Sequence, residues 1–223
     1  MTATGPTAPE DPGPSELATA PAPGPAPPRR MARVNRVTAE TDVSLSLALD
    51  GTGAGARDTG VGFLDHMLDL LARHGHLDLD VTVRGDLATG AHHTVEDTGI
   101  VLGQALDQAL GDRAHISRYG HAVVPMDEAR AACTIDISGR PFCAFAAELP
   151  PGSTGGFDHE LAEELFRAIS SSARMTVHLE VTAGTNAHHM IEAAFKAFAR
   201  ALRAAVSLDA SEPGVPSTKG TLT

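Results

Sequence analysis

The sequence predicts an α+β fold: a pseudo-twofold duplication of a strand-helix-strand-helix unit whose sheets carry their helices on one side. Three observations lead to this reading. The pattern HHxxE occurs twice, as His92-His93 with Glu96 and as His188-His189 with Glu192. The apolar positions after each copy keep the same helical phase, Val95, Leu102, Leu106 and Leu110 against Ile191, Phe198, Leu202 and Val206. An alternating stretch precedes each copy, Leu77-Leu79-Val81-Val83 and Met175-Val177-Leu179-Val181, with the period of a half-buried strand.

The remaining elements follow in chain order. Each half opens on a strand, Val43-Leu45-Leu47-Leu49 and then Cys133-Ile135-Ile137, followed by a glycine turn at Gly51 or Gly139. A helix from Phe63 to His74, with Gly75 as its C-cap, leads into the alternating strand of the first half. Its counterpart in the second half runs from Phe157 to about Ser170. Because the strands alternate, one face of each sheet is apolar and takes the helices. The remaining helix faces are expected to be buried between subunits.

These elements place the first half-repeat at 33–111, a connection at 112–120, the second half-repeat at 121–206 and a C-terminal tail at 207–223. Residues 1–32 read as a disordered Pro/Ala-rich extension, because nine of the fifteen prolines precede Arg29 and no helical period is present. The tail contains Pro213, Gly214 and Pro216 and is expected to be flexible until a ligand orders it.

Composition limits the partners. A net charge of −11 argues against nucleic acid or an anionic membrane surface, both of which reward clustered Lys and Arg. The two cysteines, Cys133 and Cys143, form no disulfide framework and no zinc-ribbon spacing, which fits a reducing compartment. The chain contains no apolar run of membrane-spanning length, so a cytoplasmic protein is expected.

Chemistry concentrates in the doubled motif. On a helix each copy projects one imidazole and one carboxylate from the same face, a chelating pair for a divalent metal. The neighbouring His lies about a quarter turn or slightly more around the helix and faces a second ion. Imidazole and carboxylate donors without thiolates suit manganese, iron or zinc. Neither helix reads HExxH, so the general-base Glu of a zinc protease is missing.

Longer segments carry a resemblance. Gly62-Phe63-Leu64-Asp65-His66-Met67-Leu68, His92-His93-Thr94-Val95-Glu96-Asp97, Arg118-Tyr119-Gly120, Pro125-Met126-Asp127-Glu128, Ser138-Gly139-Arg140-Pro141, His188-His189-Met190-Ile191-Glu192-Ala193 and Ser217-Thr218-Lys219-Gly220 occur in the order seen in imidazoleglycerol-phosphate dehydratase. From about Arg33 to the C-terminus the chain resembles that family of histidine biosynthesis.

The resemblance implies a di-manganese hydro-lyase that removes water from D-erythro-imidazoleglycerol phosphate to give imidazole acetol phosphate. The proton to be lost sits on a carbon with no neighbouring carbonyl. Two cations on the substrate ring, bound as imidazolate, would let its electron density expel the adjacent hydroxyl through a diazafulvene-like intermediate. His66, His92, His93, Glu96, His188, His189 and Glu192 match the family's ligand positions, Glu40 matches a carboxylate near the substrate that serves as proton shuttle, and His74 matches a substrate contact. For the phosphate the resemblance nominates Arg118, Arg140, Lys196, Ser217 and Lys219, with Thr218 nearby, and a tail that closes over it. It also implies large homo-oligomers, 24-mers built from trimers, with metal sites at subunit boundaries.

Two places depart from the family pattern. Glu164 stands where the family carries a ligand His; an oxygen donor could serve in its place or weaken one site. Thr89-Gly90-Ala91 replaces residues that are commonly acidic and orient the histidines from behind. Two other functions therefore stay open: a divergent paralogue with impaired catalysis that acts as a metal-dependent assembly protein, and a di-metal hydrolase.

Overall fold

The computed structural model of the chain describes residues 1–3, 5 and 30–222. In the first half, β1 (Met31–Val37) pairs antiparallel with β2 (Thr41–Ala48), and β2 with β4 (Asp78–Gly85). The short β3 (Arg57–Asp58) lies parallel along the other edge of β4. Helix α1 (Gly62–Gly75) connects β3 to β4, and α2 (His92–Leu110) follows β4.

The second half repeats this plan. Strands β5 (Tyr119–Met126), β6 (Ala129–Asp136) and β10 (Thr176–Ala183) are antiparallel neighbours, and β7 (Phe142–Ala146) lies parallel along the outer edge of β10. A hairpin of β8 (Ser153–Thr154) and β9 (Phe157–Asp158) leads into α3 (Leu161–Ser172), and α4 (Ala187–Val206) follows β10. The two four-stranded sheets have orders β1-β2-β4-β3 and β5-β6-β10-β7, the same pattern strand for strand. This shared topology, with a parallel strand at the same edge in both, is the duplication expressed in three dimensions.

Each sheet is apolar on one face. Val43, Leu45, Leu47, Leu79, Val81 and Val83 point inward from the first sheet, while Ser44, Ser46, Asp80 and Thr82 face out. Helix α2 covers β1 and β2, and α4 covers β5 and β6, so the helices do lie on one side of each sheet. Part of their remaining surface is covered within the chain, because α1 packs on α4 and α2 on α3. Leu64, Met67, Leu68 and Leu71 of α1 are all fully buried in this single core. Each contributes on the order of 1.5–3 kcal/mol by leaving water. Gly103 lets α2 and α3 approach closely, since a Cβ there would stand 2.6 Å from the Ile169 carbonyl oxygen.

Several boundaries differ from the expectations. Strand β1 starts at Met31 and β5 at Tyr119, both inside segments read as extension or connection. Strand β5 escaped notice because its inward residues include Gly120 and Ala122; at Gly120 a Cβ would lie 2.0 Å from the Ala201 carbonyl oxygen, so smallness replaces hydrophobicity as the packing requirement. The C-cap of α1 is His76, not Gly75: His76 adopts φ 54°, ψ 42° and its N–H bonds to the Ala72 carbonyl. Helix α3 begins at Leu161 and not at Phe157. The tight turn at Gly155 and Gly156, both with positive φ, commits Phe157 to β9, from which its ring packs against Phe63 at 5.5 Å.

The C-terminal tail is held to the body. His115 N–H bonds to the Gly214 carbonyl, Arg118 to that of Pro216, and Leu222 is buried. The expected extension lies almost wholly outside the described residues.

Candidate metal centre

The first turn of α4 is set by Asn186, whose side-chain oxygen accepts the His188 N–H at 3.0 Å and so starts the helix just before the two histidines. One turn on, Glu192 stands beside His188, with Oε2 3.2 Å from Nε2. Helix α1, packed against α4, delivers His66 from the other half of the chain, its Nε2 3.6 Å from the same carboxylate oxygen. Donor atoms of His66, His188 and Glu192 all lie within 4.8 Å of one another, the one group of three metal-capable side chains among the described residues. The Phe63 ring meets the His188 ring edge-on at 5.0 Å and restricts its orientation.

Glu192 is only 6% exposed. Burial pushes its carboxyl up, but Lys196, whose Nζ lies 2.6 Å from Oε1, together with His188 and His66, outweighs burial and holds it below the usual carboxylate range. Two imidazole nitrogens and one ionised oxygen are donors that a divalent first-row ion accepts, so the residues fit a metal.

The other HH helix builds the matching corner. His92 Nε2 lies 3.9 Å from Glu96 Oε2, and Glu96 and Glu164 line one cavity of about 330 Å³ with Ile100 and Arg167. Glu164 on α3 borders that cavity from the opposite helix, but among the described residues His92, Glu96 and Glu164 do not bring three donor atoms within 4.8 Å of one another as His66, His188 and Glu192 do.

The second histidine of each pair turns away to other carboxylates. His93 Nδ1 lies 3.0 Å from Asp86 Oδ2, and its Nε2 lies 3.7 Å from Glu40 Oε1. His189 Nδ1 lies 2.7 Å from Glu128 Oε2, and its Nε2 lies 3.7 Å from Asp127 Oδ2. Asp86 raises the pKa of His93 and Glu128 that of His189. The His189 bond, reinforced by the Asn186 and Thr185 backbone N–H groups, holds Glu128 down to about 2. A carboxylate behind Nδ1 leaves Nε2 as the outward-facing nitrogen, the arrangement seen behind metal-bound imidazoles.

Among the phosphate candidates the chain forms two groups. Lys196 and His74 line a cavity of about 360 Å³ with Arg200, Val123, Val124 and Pro125, and burial, Lys196 and Arg200 lower the pKa of His74. Arg118 instead grips both Asp136 oxygens, at 2.7 and 3.2 Å, and donates to the Pro216 carbonyl at 2.8 Å; Arg140 stands 3.9 Å from Asp136. Ser217, Thr218 and Lys219 follow in a turn closed by the Gly220 N–H to the Ser217 carbonyl and by the Lys219 N–H to Ser217 Oγ. The Lys196 group sits near Met126 and the Arg118 group near Tyr119, the two ends of β5, roughly 23 Å apart for seven steps of about 3.3 Å.

Asp86 and Glu128 carry roles that the sequence reading did not assign. The gap before the first HH, where Thr89-Gly90-Ala91 lacks carboxylates, is filled by Asp86, brought back by the 3₁₀ turn over Leu87–Thr89. Glu128 reaches His189 from the β5–β6 hairpin, sixty-one positions away in sequence. No periodicity marks either residue. The HH spacing signals that such acceptors are required without saying where they come from.

A sequence profile of the family described as imidazoleglycerol-phosphate dehydratase matches residues 59–202. The chain is 57% identical to the imidazoleglycerol-phosphate dehydratase of Salinibacter ruber over 193 residues, covering 86% of this chain and 96% of that one. It is 54% identical to that of Frankia casuarinae, with 86% and 99% covered. The crystal structure of the Staphylococcus aureus enzyme of this name superposes with a TM-score of 0.73 at 43% identity, covering 80% of this chain and 99% of that one. The Pyrococcus furiosus counterpart gives 0.74 at 35% identity, with 85% and 100% covered.

Proposed function

This chain belongs to the imidazoleglycerol-phosphate dehydratase family, and from that premise we propose that it is the hydro-lyase converting D-erythro-imidazoleglycerol phosphate to imidazole acetol phosphate in L-histidine biosynthesis. The observation that carries the reading is the meeting of His66, His188 and Glu192 from both halves of the chain. That donor set supports a divalent ion; in this reading His92 and Glu96, with Glu164 across the neighbouring cavity, serve a second, and both ions are most simply manganese. Bound there, such ions supply Lewis acidity to the substrate's imidazole ring.

The chain's own residues do the rest. In this reading Glu40, exposed on the β1–β2 turn beside His93, takes the carbon-bound proton and returns one to the departing hydroxyl, which leaves as water. The resulting enol becomes the ketone without cleavage of the phosphate. Asp86 and Glu128 hold the second histidines by Nδ1. Lys196, with His74, and the group of Arg118, Arg140, Ser217, Thr218 and Lys219 supply the phosphate contacts.

Because the two phosphate groups lie at opposite ends of β5, the active site in this reading is completed by a second copy of the chain. That requirement supports a homo-oligomer, in the family's manner a 24-mer built from trimers. No helix among the described residues is long and apolar enough to cross a membrane, and in this reading the enzyme is cytoplasmic and acts on a small phosphorylated imidazole.

The test is an assay of manganese-reconstituted protein with imidazoleglycerol phosphate, with His92→Ala as control. Ketone formation that disappears in the control is expected. Release of inorganic phosphate in place of ketone would favour the di-metal hydrolase, and metal-driven assembly with no turnover would favour the assembly protein.

A further inference from the structure

Arg113 is the largest fully buried side chain, 2% exposed, in the segment that links α2 to β5. None of the metal or phosphate groups described above uses it. Its Nη2 pairs with Asp107 at 2.5 Å and donates to the Ala173 carbonyl at 3.2 Å, while Nη1 donates to the Leu222 carbonyl. Leu222 is itself 4% exposed, so the far end of the tail is fixed both by its side chain and by its backbone.

The near end is fixed too, since Arg118 donates to the Pro216 carbonyl at 2.8 Å. Between these two carbonyls lie Ser217, Thr218, Lys219, Gly220 and Thr221, the turn read above as part of the phosphate site. A segment held at both ends has already lost much of the freedom that a ligand would otherwise have to remove.

We propose that Arg113 is a positioning residue for the phosphate-binding turn: by clasping the Leu222 carbonyl while Arg118 clasps that of Pro216, it closes residues 217–221 into a strap that presents Ser217 and Lys219 to the substrate phosphate. The inference rests on the reading of that turn as a phosphate site. Arg113 touches no substrate in it and acts only through the strap. Asp107 keeps Arg174 as a partner, at 3.0 Å, when Arg113 is changed, so its carboxylate is not stranded.

The clasp can be opened from either side. Arg113→Met removes the donor, and deletion of Leu222 and Thr223 removes the acceptor together with the buried Leu222 side chain. Both are expected to raise KM for imidazoleglycerol phosphate by roughly tenfold, the size of one lost charge-assisted hydrogen bond, with kcat within about twofold and metal content unchanged. Arg113→Lys, which keeps a donor, should recover part of the loss, and the double variant should be no worse than the deletion alone.

A second readout needs no turnover: tryptic cleavage after Lys219, followed by mass spectrometry, should be faster in both opened variants. It therefore separates failure of the clasp from failure of the proposed activity. Wild-type KM and wild-type cleavage rates in the deletion variant would overturn the proposal, and that variant decides the matter if Arg113→Met fails to fold.

Discussion

Glu192 on α4 stands 3.6 Å from His66 on α1, so a buried carboxylate from one half of the duplication meets an exposed imidazole from the other at the surface of the helix layer. The contact exists because α1 packs on α4 across the pseudo-twofold relation. It makes the metal corner a product of the whole fold and not of one helix.

Glu192→Gln keeps the shape of the side chain and removes its charge. Manganese affinity is expected to fall at least about tenfold, with a parallel loss of ketone formation, since ligands and their supporting partners are typically worth 10–100-fold. Titration calorimetry on metal-free protein measures it. An unchanged affinity would remove Glu192 from the ligand set.

Asp86→Asn tests the carboxylate behind His93. With Nδ1 no longer facing a charge, metal affinity or turnover should drop roughly 10–100-fold while the circular dichroism spectrum stays the same. Glu128→Gln should do the same to His189. Full metal loading and normal turnover in both variants would show that the two second histidines do not depend on their acceptors.

Gly103→Ala places a methyl group 2.6 Å from the Ile169 carbonyl oxygen, where the backbones of α2 and α3 meet. Overpacking of this kind costs roughly 1–3 kcal/mol, so Tm should fall by several degrees. Thermal unfolding monitored by circular dichroism is the measurement, and a Tm within a degree of wild type would mean that the helices can separate at little cost.

Asp78, at the start of β4, accepts the backbone N–H groups of Thr52 and Ala54 at 2.8 and 3.1 Å, which hold its carboxyl below the usual range. A carboxyl with a lower pKa in the folded state stabilises the fold above its unfolded value, near pH 4, and that contribution is lost as pH falls through the folded value. Asp78→Ala should therefore cost about 1 kcal/mol at neutral pH, after allowing for solvent screening, and progressively less below about pH 4. Denaturant titrations at neutral and acid pH test the sign; a difference that grows on acidification would contradict it.

Much of the architecture was legible because the repeat units are locally consistent. Strands β2, β4, β6 and β10 alternate strictly, and α2 and α4 carry long apolar stripes in phase. Strands β1, β5 and β7 were missed because small residues such as Ala32, Gly120, Ala122 and Cys143 interrupt their inward apolar positions, and each is held in place by pairing with a neighbour. Phe157 misled for the opposite reason: it is a core residue whose backbone is fixed by the glycine turn before it. In the site, His188 with Glu192 and His92 with Glu96 were legible as pairs one helical turn apart.

Chain order alone settles whatever depends on neighbours within a turn or along a strand: the doubled unit, the chelating face of each HH helix, and the family those motifs mark. Folding in three dimensions decides which distant groups meet. Only the packing of α1 on α4 joins His66 to Glu192, only the β5–β6 hairpin carries Glu128 to His189, and only the clasp by Arg113 and Arg118 turns the tail into a strap. The physical reason is range: backbone geometry repeats every few residues, whereas ion pairs and hydrogen bonds between segments arise from a core that must close before those groups come within reach.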